Sequence, residues 1–435
     1  MAERYDTAVI GGGLGGLLAG AVAAKHGRRV LLVERMPYLG GRFTTVQQDG
    51  CALTTGALHL VPHGVGGPLA SLLSAIGEPL RGVRRTAIAS AFAGGRHVVW
   101  HTPFDVLELL GPRGKVDLVK MLVELGAMRR RTGNFRDWVE TRTSDPTLRR
   151  LFERFTHFAL SIRPEEVAYG EMRAVLWNVV RHGLPCAPLG GCAALVEQVA
   201  AYIVTRGGTV VTDTVATQIV LDETGRVCAL QSKDRRTGRE ETTRVRQVIS
   251  DAGPVVTAQL LGPYVPAALR AAERAPIARG LKLHVLSDRS LIPHNGIMFC
   301  LDTQRISGIV EVSQSVPSLV PPGMHMLDTF QVPMSDDFAL ERQLAIEDLR
   351  CVFGADFDRH CRVVRLSSFR GAWPVNRAVQ GQDSCGQEPV PGLIMVGDAY
   401  KPSGYMMAEG VAASVRRIAP ILARSTPGRL EVGVR

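Results

Sequence analysis

A cluster of glycines near the start of the chain, followed by an acidic residue after the next apolar run, has the spacing of a phosphate-binding turn. The cluster GGGLGG occupies residues 11–16, and the acid is Glu34. Glycines let the backbone approach a pyrophosphate, the first amides of a following helix attract that anion, and the acid accepts hydrogen bonds from a ribose. The spacing predicts a dinucleotide site, and an ordinary glycine-rich turn is the alternative.

A second glycine pair and an arginine follow this acid at a short interval. Arg35 comes directly after it, and Gly41 and Arg42 close the segment ERMPYLGGR. Two glycines let the loop fold beneath a nucleotide, and the arginine adds positive charge beside a pyrophosphate that a helix dipole neutralises only in part. Alone, the segment is a basic turn. After an acid-terminated strand, it favours a nucleotide site.

An aspartate near the other end of the chain completes the set of polar groups. Gly397 and Asp398 end the apolar run GLIMV, and Met406 and Met407 stand where a helical pattern begins. A carboxylate there would accept hydrogen bonds from a hydroxyl-bearing part of the cofactor, and the dipole of the helix would face its ring system or phosphate. The alternative is an aspartate that caps a helix. The upstream glycine motif favours the cofactor interpretation.

The elements that must position these groups follow from the apolar pattern. Residues 5–10 and 29–33 are short apolar runs typical of buried strands, and residues 17–25 have the small side chains of a helix packed on a sheet. Residues 392–396 predict a further strand that leads into Gly397. The chemical groups are therefore expected at the strand ends of one α/β unit.

Between these segments the chain changes to longer helical patterns. Residues 103–131 carry apolar side chains at helical spacing, with an interruption at GPRG, and residues 147–158 are strongly amphipathic. Residues 171–181 form a third helical stretch. Such helices usually pack on their own core, and the alternative is a lip around a substrate entrance that rests on a membrane.

Composition limits the classes of protein. The 435 residues carry a net charge of +10, with an arginine run at residues 129–131, and exceed the length of one ordinary α/β module. A basic run is usually a solvated helix end, and attraction to an anionic membrane is the alternative. No apolar run has membrane-spanning length, and no nucleic-acid-binding module is recognisable. Eight scattered cysteines without metal-ligand spacing are typical of a reduced, cytoplasmic protein.

Together these motifs resemble the FAD-dependent amine-oxidase and phytoene-desaturase superfamily, in a phytoene-desaturase-like form. The likeness extends over nearly the whole chain through VIGGGLGGLLAG, ERMPYLGGRF, TTGALHLVPHG, PLGGCAALVEQ, VISDAGP, WPVNRA and GLIMVGDAYKPSGYMMAEGVAAS. The resemblance implies an oxidoreductase with FAD as its cofactor, and it implies that the backbone of Val215 contacts the adenine side. The predicted cofactor-binding residues are Gly11, Gly13, Leu14, Gly15, Gly16, Glu34, Arg35, Gly41, Arg42, Val215, Gly397, Asp398, Met406 and Met407.

Two residues are candidates for a catalytic role beside the flavin. Lys282 lies where amine oxidases of the superfamily often have a lysine near flavin N5, and the alternative is a strand lysine with its ammonium group in solvent. Trp373, in WPVNR, is expected at the flavin edge or as core filling. His59 and His63 have no further ligands grouped with them, so we expect no metal site. We expect packing or surface positions for them, and a role beside the flavin ring is the alternative.

The long polyene substrate of carotenoid desaturases is not expected here. Those enzymes usually have Ala-Thr-His-Pro where this chain has GDAYKP, and Phe-Asp-Gly-Pro where it has TTGA. Our first hypothesis is the formation or reduction of a carbon–carbon double bond in an apolar, isoprenoid-like small molecule, with hydride transfer at flavin N5. The alternatives are oxidation of an amine or amino-acid derivative with Lys282 near the flavin, and a flavin-dependent isomerase or non-catalytic flavoprotein.

The predicted architecture is α/β, with a Rossmann-type FAD-binding domain assembled from discontinuous segments and a substrate domain with a mixed sheet and helices. We assign residues 1–65, 188–254 and 386–435 to the FAD-binding domain, and residues 66–187 and 255–385 to the substrate domain. Oxygen and a quinone are the candidate electron acceptors. The protein is expected in the cytoplasm, with peripheral membrane contact as a further hypothesis.

Overall fold

The computed structural model describes residues 5–127, 132–377 and 387–423. The arginine run at 129–131 and both ends of the predicted segment 386–435 lie outside the described residues. The strands, in chain order, are β1 (Thr7–Ile10), β2 (Val30–Val33), β3 (Thr45–Gln48), β4 (Cys51–Thr54), β5 (Ala89–Ala93), β6 (Arg96–Trp100), β7 (Thr209–Val211), β8 (Thr214–Leu221), β9 (Val227–Asp234), β10 (Glu240–Arg244), β11 (Gln247–Ser250), β12 (Gly280–Ser287), β13 (Ile297–Cys300), β14 (Gly308–Glu311), β15 (His325–Phe330), β16 (Cys361–Phe369) and β17 (Leu393–Met395). The α-helices are α1 (Leu14–Lys25), α2 (Pro68–Ile76), α3 (Pro112–Gly126), α4 (Phe135–Glu140), α5 (Pro146–Leu160), α6 (Tyr169–His182), α7 (Gly191–Thr205), α8 (Pro254–Leu261), α9 (Ala267–Glu273), α10 (Phe338–Phe353), α11 (Ala355–His360) and α12 (Met407–Ala423).

A five-stranded parallel sheet carries the glycine turn. Its order is β17–β11–β1–β2–β7, so its strands come from the N-terminal, middle and C-terminal parts of the chain. Helices α1, α2, α7 and α12 share one apolar core on one face, and β8, β9, α8 and α9 contribute to the core on the other. In open α/β sheets, ligands bind in the crevice outside the carboxyl ends of the strands, where the strand order reverses. Here that point lies at the end of β1.

A second, seven-stranded mixed sheet has the order β16–β12–β15–β14–β13–β5–β6. The only parallel pair among its described strands is β5 with β13. Strand β12 lies between β16 and β15, and every residue of it is buried. Both of its faces are therefore covered, and a polar side chain on β12 must find its partners inside the protein.

Helices α3 to α6 build a separate apolar cluster around stacked and edge-on aromatic rings of Phe135, Trp138, Phe152 and Tyr169. The predicted interruption at GPRG is the start of α3, because Pro112 occupies its first turn, where no amide donor is needed. No helix in the described ranges is both long and apolar enough to cross a membrane.

The predicted fold class is confirmed, with a parallel sheet assembled from separated segments beside a mixed sheet and a group of helices. The division into two domains stays a prediction. Helix α2 follows the predicted boundary at residue 65, yet it packs into the same core as α1 and α12.

Candidate cofactor and active site

A cavity of about 430 Å³ opens beside the carboxyl end of β1 and extends towards the mixed sheet. Most of the residues predicted to bind the cofactor or to act beside it lie in its wall. They are Gly11, Gly13, Leu14, Gly15, Glu34, Arg35, Gly41, Arg42, Val215, Trp373, Asp398 and Met407. The chain therefore brings together groups that are almost 400 residues apart in sequence.

Gly16, Gly397, Met406 and Lys282 do not line this cavity. A Cβ atom on Gly16 would overlap the carbonyl oxygen of Gly11, so its contribution is the close packing of α1 against β1. The amide of Gly397 donates to Ser414 Oγ at 3.0 Å. Met406 is buried in the apolar cluster of helices α3 to α6.

The glycine turn continues directly into helix α1, which begins at Leu14 rather than at residue 17 as predicted. Gly11 has φ +98°, a conformation that favours glycine. Gly15 lies within the helix, where an added Cβ atom would come to 2.5 Å from Asp251 Oδ1. Gly15 and Gly16 are therefore part of the helix, and glycine is required there because neighbouring atoms leave no room for a side chain.

Glu34 is held in a fixed orientation at the end of β2. Its Oε2 accepts the amide of Gly12 at 2.6 Å, and its Oε1 accepts the amide of Met36 at 2.8 Å. The side chain is buried in the turn between the glycine loop and the following segment. Val215 also lines the cavity, and the amide of the preceding Thr214 donates to the carbonyl oxygen of Glu34 at 2.8 Å. A carboxylate with fixed geometry at this strand end is suited to accept hydrogen bonds from ribose hydroxyl groups.

Asp398 forms the centre of a charged cluster in the cavity wall. Its Oδ2 accepts Arg42 Nη2 and the amide of Arg377, each at 2.8 Å, and its Oδ1 lies 3.3 Å from Arg377 Nη1. Burial favours the neutral acid, but the two guanidinium groups outweigh it and hold the pKa of Asp398 well below its usual range. Arg42 also donates to the carbonyl oxygens of Pro374 and Val375.

Sequence reasoning missed Asp251 as a site residue. It follows β11, which pairs with β1 in the register Ile10 to Ser250, and its carboxylate therefore lies beside the glycine turn. Its Oδ2 accepts the amide of Gly16 at 3.0 Å. Burial raises the pKa of Asp251 to about 7, against the effect of that hydrogen bond. The available signal was the position of Asp251 directly after the apolar run of β11. Parallel strands end at one edge of a sheet, so an acid at that position is expected beside the glycine turn.

Lys282 is fully buried, so the solvent-exposed alternative is wrong. Its Nζ donates to the carbonyl oxygens of Thr54 and Gly56, to Thr54 Oγ1, and to Asp328 Oδ2 at 3.2 Å. Burial lowers the pKa of Lys282, and Asp328 opposes that shift. The lysine thus fixes the loop after β4 through hydrogen bonds to its backbone, while Gly56 lines the cavity and Lys282 does not.

The two histidines of the loop after β4 are buried and neutral. His59 Nε2 accepts the amide of Cys192 at 3.2 Å, and His63 packs against the rings of His182 and Tyr405. Burial lowers the pKa of each to about 4. The described residues contain no group of three or more His, Cys, Asp or Glu side chains placed to hold a metal ion.

The cavity has the features that FAD requires. A glycine turn and the start of α1 offer backbone space and amides for a diphosphate, and the acid at the end of β2 suits a ribose. The paired Arg42 and Asp398 also line the cavity. The mixed-sheet end is lined by apolar side chains that suit a flat ring system.

Comparisons with known proteins agree with this geometry. The family model described as flavin containing amine oxidoreductase matches residues 14–420. An uncharacterized protein of Methanocaldococcus jannaschii is 28% identical over 419 residues, which cover 94% of this chain and 97% of that protein. The crystal structure of an oxidoreductase from Methanosarcina mazei has a TM-score of 0.87 and 29% identity, and covers 95% of this chain and 100% of that one.

More distant or partial similarities add detail. A putrescine oxidase structure has a TM-score of 0.70 at 14% identity, which demonstrates a shared fold, and covers 97% of this chain and 100% of its own. An all-trans-retinol 13,14-reductase of Macaca fascicularis is 33% identical over 115 residues, or 26% of this chain and 16% of that protein. A prolycopene isomerase of an Oncidium hybrid cultivar is 43% identical over 56 residues, 13% of this chain and 10% of that protein.

The match of the family model to residues 14–420 shows the family. The chain belongs to the flavin-containing amine oxidoreductase family, within the amine-oxidase and phytoene-desaturase superfamily, and is an FAD-dependent oxidoreductase.

Proposed function

We propose that the protein forms or reduces a carbon–carbon double bond in an apolar, isoprenoid-like small molecule. The observation that carries this proposal is the apolar wall at the mixed-sheet end of the cavity. It is lined by Leu58, Leu60, Ile277, Phe369 and Val375. A wall of this kind binds a substrate by burying apolar surface, at about 25 cal/mol for each Å² removed from water.

We assign the cofactor-binding roles along the same cavity. Glu34 would hold the ribose of the AMP half, with the backbone of Val215 on the adenine side. The glycine turn and the start of α1 would hold the diphosphate, and Asp398 would accept hydrogen bonds from the ribityl chain. Bound FAD supplies hydride transfer at its flavin ring.

The remaining contribution of the protein is to orient the substrate and to exclude water. The loop after β4 presents Gly56 and Ala57 to the cavity, and glycine and alanine let a flat ring approach the backbone closely. Trp373 would form the edge of the flavin site, where its large ring limits the substrate to one side. A closed apolar site protects hydride transfer from water.

The wall is less suited to an amine substrate. Glu34 and Asp398 are assigned to the cofactor, and the guanidinium groups of Arg42 and Arg377 already balance the charge of Asp398. The four oxygen partners of the Lys282 ammonium group all belong to the protein. The names of the retinol 13,14-reductase and the prolycopene isomerase support the apolar class as well.

An anaerobic spectroscopic experiment tests the proposal. Photoreduced holoenzyme is mixed with all-trans-retinol or with an apolar enone, and oxidised holoenzyme is mixed with saturated isoprenoids and with primary amines. We expect an apolar compound to change the flavin absorbance and to gain or lose two hydrogen atoms, as measured by mass spectrometry. Bleaching by amines alone would contradict the proposal, and so would a product of unchanged mass, which is the result for an isomerase.

A matched pair of variants connects this reaction to the cavity. Leu60→Asp places a charge in the proposed substrate wall, and Leu189→Asp places the same charge at a position that is 60% exposed and outside the cavity. We expect the first variant to slow the reaction at least about tenfold while it retains FAD, because burying an unpaired carboxylate opposes apolar binding. Equal rates in the two variants would contradict the assignment of this wall.

We also propose peripheral contact with an anionic membrane, through one face of α3. Leu118, Met121 and Leu125 point into the helical core, yet an apolar stripe on the opposite side is exposed to solvent. We name this stripe the α3 stripe; its members are Val116, Val119, Leu122 and Val123, each more than half exposed. The exposed Lys115 and Lys120 flank it. An apolar stripe between basic side chains is typical of helices that lie in a membrane interface.

A further inference from the structure

Asp251 occupies the part of the cavity where a diphosphate would approach helix α1. Its Oδ2 accepts the Gly16 amide, and this bond joins a carboxylate to the first turn of the helix. A Cβ atom on Gly13 would come to 2.6 Å from Oδ2, and one on Gly15 would come to 2.5 Å from Oδ1. The carboxylate is therefore packed against the same glycines that leave space for a phosphate.

Two negatively charged groups would then compete for one helix end. The start of α1 attracts one anion through its dipole and its free amides, and the N-cap residue, Gly13, has no side chain of its own. A diphosphate beside an ionised Asp251 would suffer repulsion at short range in a partly enclosed site. A neutral carboxylic acid would remove the repulsion, and its hydroxyl group could donate a hydrogen bond to a phosphate oxygen.

We propose that Asp251 binds FAD in its protonated form, so that FAD binding is coupled to the uptake of one proton by this carboxyl group. The proton comes from solvent, and no bond other than the O–H bond of Asp251 is formed. FAD binding itself follows from the family of the chain, so this inference does not depend on the proposed substrate.

The charged groups around Asp251 agree with this assignment. Arg42, in the loop after β2, and Arg377 lower its pKa, but both guanidinium groups are hydrogen-bonded to Asp398. Asp398, after β17, raises the pKa of Asp251 through its own negative charge. Burial is the largest effect, and the pKa of Asp251 is already about 7 without a diphosphate beside it. A diphosphate raises it further.

The sign of the pH dependence follows directly. One pH unit or more below the pKa of about 7, Asp251 is protonated with and without FAD, and the affinity does not change with pH through this group. One unit or more above it, the acid is ionised in the free protein and protonated in the complex, so the affinity falls by about tenfold for each pH unit until the pKa of the complex is reached.

Calorimetry on the wild-type chain tests the coupling without any variant. Apoprotein is titrated with FAD at about pH 8 in buffers of different ionisation enthalpy, and the slope of the observed enthalpy gives the number of protons bound. We expect a net uptake that approaches one proton. A value of zero would overturn the proposal.

Two variants then identify the group. Asp251→Asn stays neutral, so its FAD dissociation constant should change little between about pH 6 and pH 8.5, and at the higher pH it should bind at least about tenfold more tightly than the wild type. Glu223→Gln makes the same charge change on an exposed turn outside the cavity and should keep the wild-type profile. Undiminished proton uptake in Asp251→Asn would overturn the assignment.

Discussion

At the scale of single residues, Lys282 and Asp328 form a buried ion pair behind the loop that lines the cavity. Asp328 Oδ1 also accepts His284 Nδ1 at 2.8 Å, and its Oδ2 accepts Thr54 Oγ1 at 2.5 Å. Burial opposes ionisation, but Lys282 and His284 hold the pKa of Asp328 well below its usual range. The pair therefore fixes β12, β15 and the loop after β4 relative to one another.

Lys282→Met should mainly reduce stability, because it leaves the Asp328 carboxylate buried without its cation. Removal of one partner from a buried pair costs about 3–5 kcal/mol, which is measurable by denaturant unfolding. Lys233→Met is the matched control, because it breaks an exposed pair with Glu240 and should cost below about 1 kcal/mol. Equal losses in the two variants would contradict a structural role for Lys282.

The same variant tests the amine-oxidase hypothesis. Since Lys282 does not line the cavity, we expect reduced flavin in the folded Lys282→Met protein to react with oxygen within about twofold of the wild-type rate. A twofold change corresponds to a difference below about 1 kcal/mol in activation free energy. A much slower reaction in stopped-flow measurements would instead support a lysine that acts beside flavin N5.

At the scale of elements, the α3 stripe predicts binding to anionic vesicles. Replacing Val119, Leu122 and Val123 by serine should weaken binding to phosphatidylserine-containing vesicles at least about tenfold, measured by cosedimentation, because full burial of one apolar side chain contributes about 1.5–3 kcal/mol. Val204→Ser, at an exposed position on α7, is the control and should bind normally. Salt should weaken the binding of the wild type.

Two outcomes would contradict membrane contact by α3. One is equal recovery of the wild type with neutral and anionic vesicles. The other is a dimer in solution that the triple-serine variant dissociates, because the α3 stripe would then be covered by a second copy of the chain.

The elements also explain how far the sequence was informative. The glycine turn and Glu34 are separated by one helix and one strand, so local spacing predicts their proximity. Asp251 and Arg377 reach the same cavity from distant segments, and only the order of the parallel sheet and the packing of the mixed sheet bring them there. The burial of Lys282 could not be predicted either. Apolar and polar residues alternate at positions 281–284, which favours one solvent-exposed face, whereas in the structure both faces of β12 are covered.

At the scale of the whole molecule, one cavity connects two different sheets. The parallel sheet contributes Glu34 and the glycine turn, and the loops beside the mixed sheet contribute Gly56 and Trp373. A ligand that contacts both ends must be long. FAD has an AMP half and a flavin half joined by a diphosphate, and each half would be held by one of these regions.

Equilibrium titration of the apoprotein with FAD and with FMN tests this account most directly, by quenching of flavin fluorescence. We predict that one FAD binds per chain and that FMN binds at least about a hundredfold more weakly, which corresponds to about 2.7 kcal/mol. The reason is that FMN lacks the AMP half that Glu34 and the backbone of Val215 would hold. A chain that binds no flavin, or that binds FMN as tightly as FAD, would contradict the assignment of the cavity.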